Sequence, residues 1–95
     1  MKKNVAVIGS SGAIGNAVSK ILLDDESVDS VYNFSRSISS NTSDKENRIY
    51  IDIESEESIK DAVKKIPQDL KFDLIFFQHR LYFFYYQKNN DNYNP

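Results

Sequence analysis

All three glycines of this 95-residue chain fall within seven residues, Gly9-Ser10-Ser11-Gly12-Ala13-Ile14-Gly15. That spacing has a chemical use where a buried strand hands over to a helix. Gly9 permits a tight turn out of the strand. Gly12 lets the backbone approach a bound group with no Cβ in between, and Gly15 lets the helix pack closely. A helix beginning there offers unpaired N–H groups and the positive end of its dipole, so the group it suits is an anion such as a pyrophosphate. No Gly-Lys-Ser/Thr follows, which excludes a P-loop. A turn of purely structural use is the competing reading, though such a turn rarely needs all three glycines.

The flanking residues supply the required context. Residues 5–8 are an unbroken apolar run, as in a parallel strand buried on both faces. From Ala13 the pattern becomes helical, and Ile14, Ala17, Val18, Ile21 and Leu22 form the predicted buried stripe. Residues 28–34 predict a second strand, with Val31, Tyr32 and Phe34 suited to a pleated surface. Residues 35–47, rich in Ser, Asn and Asp, read as a loop. Residues 48–53 predict a third strand, with Ile49, Ile51 and Ile53 alternating. Ser55 then predicts a helix N-cap, Glu56 and Glu57 an acidic first turn, and Ile59, Ala62, Val63 and Ile66 a buried stripe that Pro67 stops. Glu56–Lys60 and Asp61–Lys65 are expected i, i+4 ion pairs. Residues 72–77 predict a fourth strand. The alternation implies an α/β fold with a parallel sheet of about four strands, order 3-2-1-4, right-handed crossovers and the two helices on opposite faces.

With these elements in place, Ile8-Gly9-Ser10-Ser11-Gly12-Ala13-Ile14-Gly15 resembles the N-terminal cofactor loop of short-chain dehydrogenases/reductases. Gly9, Ala13 and Gly15 match one version of that loop; Gly9, Gly12 and Gly15 match the other. The usual Thr before the first glycine is Ile8 here. The resemblance implies that residues 1–77 are the N-terminal half of a dinucleotide-binding Rossmann domain. Its cofactor-binding residues would be Gly9, Ser10, Ser11, Gly12, Ala13, Ile14, Gly15, Ser35, Arg36, Asp52 and Ile53. Ser35 and Arg36 close the second strand about twenty residues past the glycine turn, where the family reads the ribose. An acidic residue there would favour NAD; a hydroxyl and a guanidinium suit a 2′-phosphate, so NADP(H) is expected over NAD(H). A solvated arginine at a strand end is the plainer alternative. Asp52-Ile53 resembles the family's Asp-aliphatic pair beside the adenine, with a helix-capping role for Asp52 as the alternative.

The resemblance stops after Phe77. Where the family has an Asn-Ala-Gly-like turn, the chain reads Gln78-His79-Arg80. The family's catalytic Tyr and Lys, four apart, have no counterpart: Tyr85 and Lys88 are three apart, and no catalytic residue is assigned. Residues 78–95 contain no Gly, Ala, Val, Ser or Thr and are rich in Tyr, Phe, Asn, Gln and Lys. An out-of-frame stretch of an AT-rich gene would read this way, and the downstream DNA in the other frames would tell. A fifth strand or a helix is the alternative for the tail. His79 is the single histidine and there is no cysteine, so no metal site is expected.

A net charge of −2 gives no footprint for nucleic acid or an anionic membrane. No apolar run approaches a membrane span or a signal-peptide core, and a cytoplasmic protein is expected. Three functions compete: the cofactor-binding part of an NADP-dependent reductase of carbonyls or alcohols, a non-catalytic dinucleotide-binding module, and a small α/β protein with a structural turn. The edge of the fourth strand is expected to lack cover, with weak cofactor binding and no turnover as the consequence. Substrate and oligomeric state are not readable from these residues.

Overall fold

A computed structural model describes residues 2–37 and 40–77 and the backbone of residues 80–82 and 86–87. Its core is a sheet whose first three strands run parallel, β1 (Lys3–Ile8), β2 (Val28–Ser35) and β3 (Glu46–Tyr50). Helix α1 (Ala13–Leu23) joins the first two, and helix α2 (Glu56–Lys64) follows the third. The expected fourth strand is broken into β4 (Lys71–Phe72) and β5 (Leu74–Phe77). β5 pairs parallel to β1, so the parallel order is β3-β2-β1-β5, the 3-2-1-4 arrangement with its last strand shortened. A short antiparallel strand, β6 (Arg80–Tyr82), pairs with β5 and covers the edge expected to be bare. β4 instead pairs antiparallel with β7 (Tyr86–Gln87).

The break at Asp73 has a local cause. Asp73 Oδ2 accepts from the Asn4 amide at 2.9 Å, while its own amide donates to the Asn4 carbonyl at 2.8 Å. This reciprocal clamp at the start of β1 interrupts what reads in the sequence as one strand. β3 also differs from expectation, starting two residues earlier and ending at Tyr50. The Ile51 amide still donates to the Ser35 carbonyl at 3.0 Å, after which a turn at Asp52 swings Ile53 outward.

Strand alternation divides the core between the two helices. Val5, Val7, Val28, Val31 and Phe76 pack with Val18, Leu22 and Leu23 of α1. Ala6, Tyr32, Phe34, Ile49 and Phe72 pack with Ala62 of α2 and Ile66 beyond its end. The helices therefore cover opposite faces, as the connection pattern implies. Val5, Val7 and Val31 are at most 1% exposed, and each contributes about 1.5–3 kcal/mol. Tyr32 and Phe72 meet edge to face with centroids 5.5 Å apart, adding about 0.5–1.5 kcal/mol.

Within each helix the buried face is the expected one only in part: Val18 and Leu22 of α1 and Ala62 of α2, with Ile66 beyond its end, turn to the core as expected. Ile14 and Ile21 are 50% and 68% exposed, and α1 buries Gly15 and Ser19. The stripe is displaced by one residue, a rotation of about 100°. On α2 the expected Ala62 is buried, as is Ile66 after the helix, while Ile59 and Val63 remain 38% and 37% exposed. Lys60 pairs with Glu56 at 3.4 Å as expected, but Asp61 pairs with Lys64 at 3.9 Å in place of Lys65.

The rotation of α1 places Ser19 over a buried polar cluster. Asn33 donates through Nδ2 to Ser19 Oγ at 2.8 Å and to Glu46 Oε2 at 2.6 Å. Glu46 is 2% exposed; it also accepts from Arg48 Nε at 2.8 Å and from the Thr42 amide and hydroxyl at 2.7 and 2.8 Å. Burial alone would raise the Glu46 carboxyl, but the bonds from Thr42, Arg48 and Asn33 outweigh it and hold the group below the ordinary 4.5. A depressed folded-state pKa means stability present above about pH 4.5 and lost as pH falls through the folded value. Glu46→Ala is expected to lower stability at neutral pH by about 2–4 kcal/mol, because buried donors lose their acceptor. Urea melts between pH 3 and pH 7 check both points: the wild-type chain loses stability on acidification, and Glu46→Gln loses less.

Candidate cofactor cleft

At Ile8 the chain leaves β1 through Gly9, whose φ of 91° lies in the left-handed region that a side chain disfavours. The Gly9 and Ser10 amides both donate to the Phe34 carbonyl, at 2.8 and 3.3 Å, tying the turn to the end of β2. The Gly12 amide then donates to the Gly9 carbonyl at 3.2 Å, and α1 begins. Gly15 lies against this turn. A Cβ there would overlap the Gly9 carbonyl oxygen and come within 3.0 Å of Gly9 C and Ser10 Cα.

Gly12 is different. Its backbone, φ −74° and ψ 164°, is open to any residue, and a Cβ would meet only the Gly9 oxygen at 3.6 Å, an ordinary contact. Nothing among the described residues requires a glycine at this position. The helix it opens has no side-chain cap and no acidic residue in its first turn. The Ala13, Ile14 and Gly15 amides find no acceptor among the described residues. α2 is finished in the opposite way: Ser55 Oγ accepts from the Ser58 amide at 3.2 Å, with Glu56 and Glu57 in the first turn.

The turn opens on a cleft of about 420 Å³ at the C-terminal ends of β1, β2 and β3. Gly9, Ser11 and Gly12 line it from β1, Ser35 and Arg36 from β2, and Asp52 and Ile53 after β3. Since the strands lie side by side in that order, the three groups form a row across two strand spacings, about 10 Å. The other four expected residues stand outside this lining. Ser10 is committed to Phe34; Ala13 and Ile14 begin the helix; Gly15 is buried beneath the turn. Four lining residues were not anticipated: Ile8, Phe34, Ile51 and Glu54. Ile8 ends β1, Phe34 is next to last in β2 and Ile51 follows β3, so strand position alone could have marked them. Glu54 carried no signal.

Arg36 is exposed within this lining. Ser35 is 8% exposed, and its hydroxyl donates to the Ser37 carbonyl at 2.7 Å. Asp52 shapes the approach to α2, since its Oδ1 accepts from the Glu54 amide at 3.0 Å and its carbonyl from the Ser55 amide at 3.0 Å. Its Oδ2 and the Ile53 amide have no partner among the described residues. The helix-capping role given as the alternative for Asp52 falls to Ser55, while Asp52 Oδ1 instead closes the turn ahead of α2. His79, Tyr85 and Lys88 lie outside the described residues.

No family model matches the sequence, and no curated protein matches it. Among solved structures, a short chain dehydrogenase family protein from Francisella tularensis subsp. tularensis SCHU S4 superposes with a TM-score of 0.72 at 27% identity, over 82% of this chain. This is part of a short-chain dehydrogenase fold. The chain spans 31% of the length of that protein. The short-chain dehydrogenase fold implies a site for a nicotinamide dinucleotide in general, and the cleft lies where such a site is built, at the carboxyl ends of the strands. No helix among the described residues is long and apolar enough to cross a membrane.

Gly15→Ala is expected to cost about 2–3 kcal/mol or to prevent folding, because the new methyl meets backbone that cannot move aside. Thermal unfolding followed by circular dichroism checks this; an unchanged melting temperature would show that the helix can rise off the turn freely.

Proposed function

We propose that this cleft binds NADP(H), with NAD(H) bound more weakly, and that the chain is the cofactor-binding portion of an oxidoreductase acting on a carbonyl or alcohol. The observation that carries the reading is Gly12. A structural turn explains Gly9 by its φ and Gly15 by its packing, but leaves Gly12 without a reason. A phosphate drawn up to the bare amides of Ala13, Ile14 and Gly15 supplies that reason, because a Cβ at Gly12 would stand in its approach.

The remaining assignments follow the row of strand ends. The α1 terminus takes the pyrophosphate charge, while Arg36 offers a planar fork of donors to a 2′-phosphate on the ribose. Asp52 Oδ2 and the Ile53 amide present an acceptor and a donor to the adenine edge, and Ile8, Phe34 and Ile51 supply apolar surface for the ring. The bound cofactor would supply hydride transfer; the chain's own residues here bind and orient it. No residue of the described part is assigned to proton transfer with substrate.

Titration calorimetry of the chain with NADPH and NADH tests this. Gly12→Ala should weaken both cofactors by roughly tenfold or more, while shifting stability by less than about 0.5 kcal/mol. Tight binding by that variant would return the glycine turn to a structural role. Arg36→Ala should weaken NADPH by about 10- to 100-fold, the range for charge-assisted hydrogen bonds, and leave NADH unchanged. Equal affinities of the wild-type chain for the two cofactors would remove the 2′-phosphate assignment while leaving the pyrophosphate site standing.

A further inference from the structure

Ser35 and Arg36 are adjacent at the end of β2 and both line the cleft, which invites treating them as a pair of phosphate ligands. Their hydrogen bonding separates them. A serine hydroxyl has one hydrogen to give, and Ser35 gives it to the Ser37 carbonyl at 2.7 Å. A phosphate ester dianion offers only acceptors. While the Ser37 bond stands, Ser35 Oγ can present nothing to such a group but lone pairs. The Ser35 carbonyl is committed too, accepting from the Ile51 amide at 3.0 Å. Ser35, 8% exposed, is held from two directions.

These two bonds bracket Arg36. The carbonyl before it is fixed to the residue following β3, and the carbonyl of Ser37 is drawn back onto the Ser35 hydroxyl. Arg36 becomes the middle residue of a pinned three-residue bend, with its side chain exposed at the cleft. Fixing the backbone that carries a long cationic side chain reduces the freedom lost when that side chain engages a ligand.

We propose that Ser35 is a positioning residue for Arg36 and not itself a ligand of the 2′-phosphate. The proposal rests on the NADP(H) reading of the cleft. Its structural half is tested without cofactor, by limited trypsin digestion of the full chain at the Arg36–Ser37 bond, with Arg48 as internal standard. Ser35→Ala should speed cleavage after Arg36 by about 2- to 12-fold, the range for losing one neutral hydrogen bond, and Ser35→Thr should restore the wild-type rate. An unchanged rate in Ser35→Ala overturns the bend.

The functional half is a double-mutant cycle read as the ratio of NADPH to NADH affinity. Ser35→Ala should lower that ratio by about 2- to 12-fold through NADPH alone, with NADH binding unchanged as the sign of an intact fold. In the Arg36→Ala background the same substitution should leave the ratio unaltered, because the residue it positions is gone. Independent, multiplying losses would mean that Ser35 touches the phosphate directly and would overturn the proposal. If the wild-type chain shows no preference for NADPH, the 2′-phosphate reading fails and takes this role with it, while the trypsin result still decides whether the bend exists.

Discussion

The approach of Gly15 to the Gly9 carbonyl governs the rest of this structure. The space between helix and turn there cannot hold a methyl group. This contact sets how far α1 is rotated about its axis. Once Gly15 faces inward, the positions three, four and seven residues on, Val18, Ser19 and Leu22, must face inward as well. Ile14 and Ile21, more apolar than Ser19, are turned outward. Steric access at one turn outweighs the area that two isoleucines could have buried.

Bringing a serine to the sheet creates a polar demand that the sheet meets. Asn33 on β2 reaches Ser19 with one amide hydrogen and Glu46 with the other. Glu46 sits on β3, at the edge of the sheet, and gathers donors from Thr42 and Arg48. The cluster thus links α1 to the edge strand and to the loop before it. The Asn33 Oδ1 has no hydrogen-bond partner among the described residues. A buried carboxylate held by four donors is sensitive to any missing partner, whereas the opposite face is built on the apolar cluster of Tyr32, Phe34 and Phe72.

Much of this was legible in the residues. The glycine spacing between an apolar run and a helical pattern located the turn, and the alternation of elements was enough for the parallel order and the opposite placement of the helices. What the sequence hid were effects of tertiary geometry. Hydrophobic periodicity marks the apolar face of α1 but not the glycine contact that overrides it. The break at Asp73 depends on Asn4, 69 residues away in the chain, and no local pattern announces it. Ile53 continues the alternation of Ile49 and Ile51 on paper, yet the Asp52 turn takes it out of the strand. At the cleft, glycine and charged positions were readable from motif spacing. The apolar lining was missed because Ile8, Phe34 and Ile51 look like ordinary strand residues until the strand ends are known to converge.

The two helices also show why anion binding would be confined to one end of one of them. Both begin at the carboxyl edge of the sheet after a strand, and both carry the positive end of a dipole there. α2 neutralises its terminus internally: Ser55 caps an amide, and Glu56 and Glu57 place carboxylates over the first turn. Those same carboxylates would repel a phosphate. α1 does neither, and its first turn offers Ala13, Ile14 and Gly15, residues whose side chains can neither cap nor repel. The amides at the start of α1 are thereby left to water or to a ligand, whereas one of those of α2, at Ser58, is met from within the chain. The asymmetry between two otherwise comparable helix starts comes from the glycine pattern itself, since Gly12 is the residue that opens α1 without a side chain to cap it.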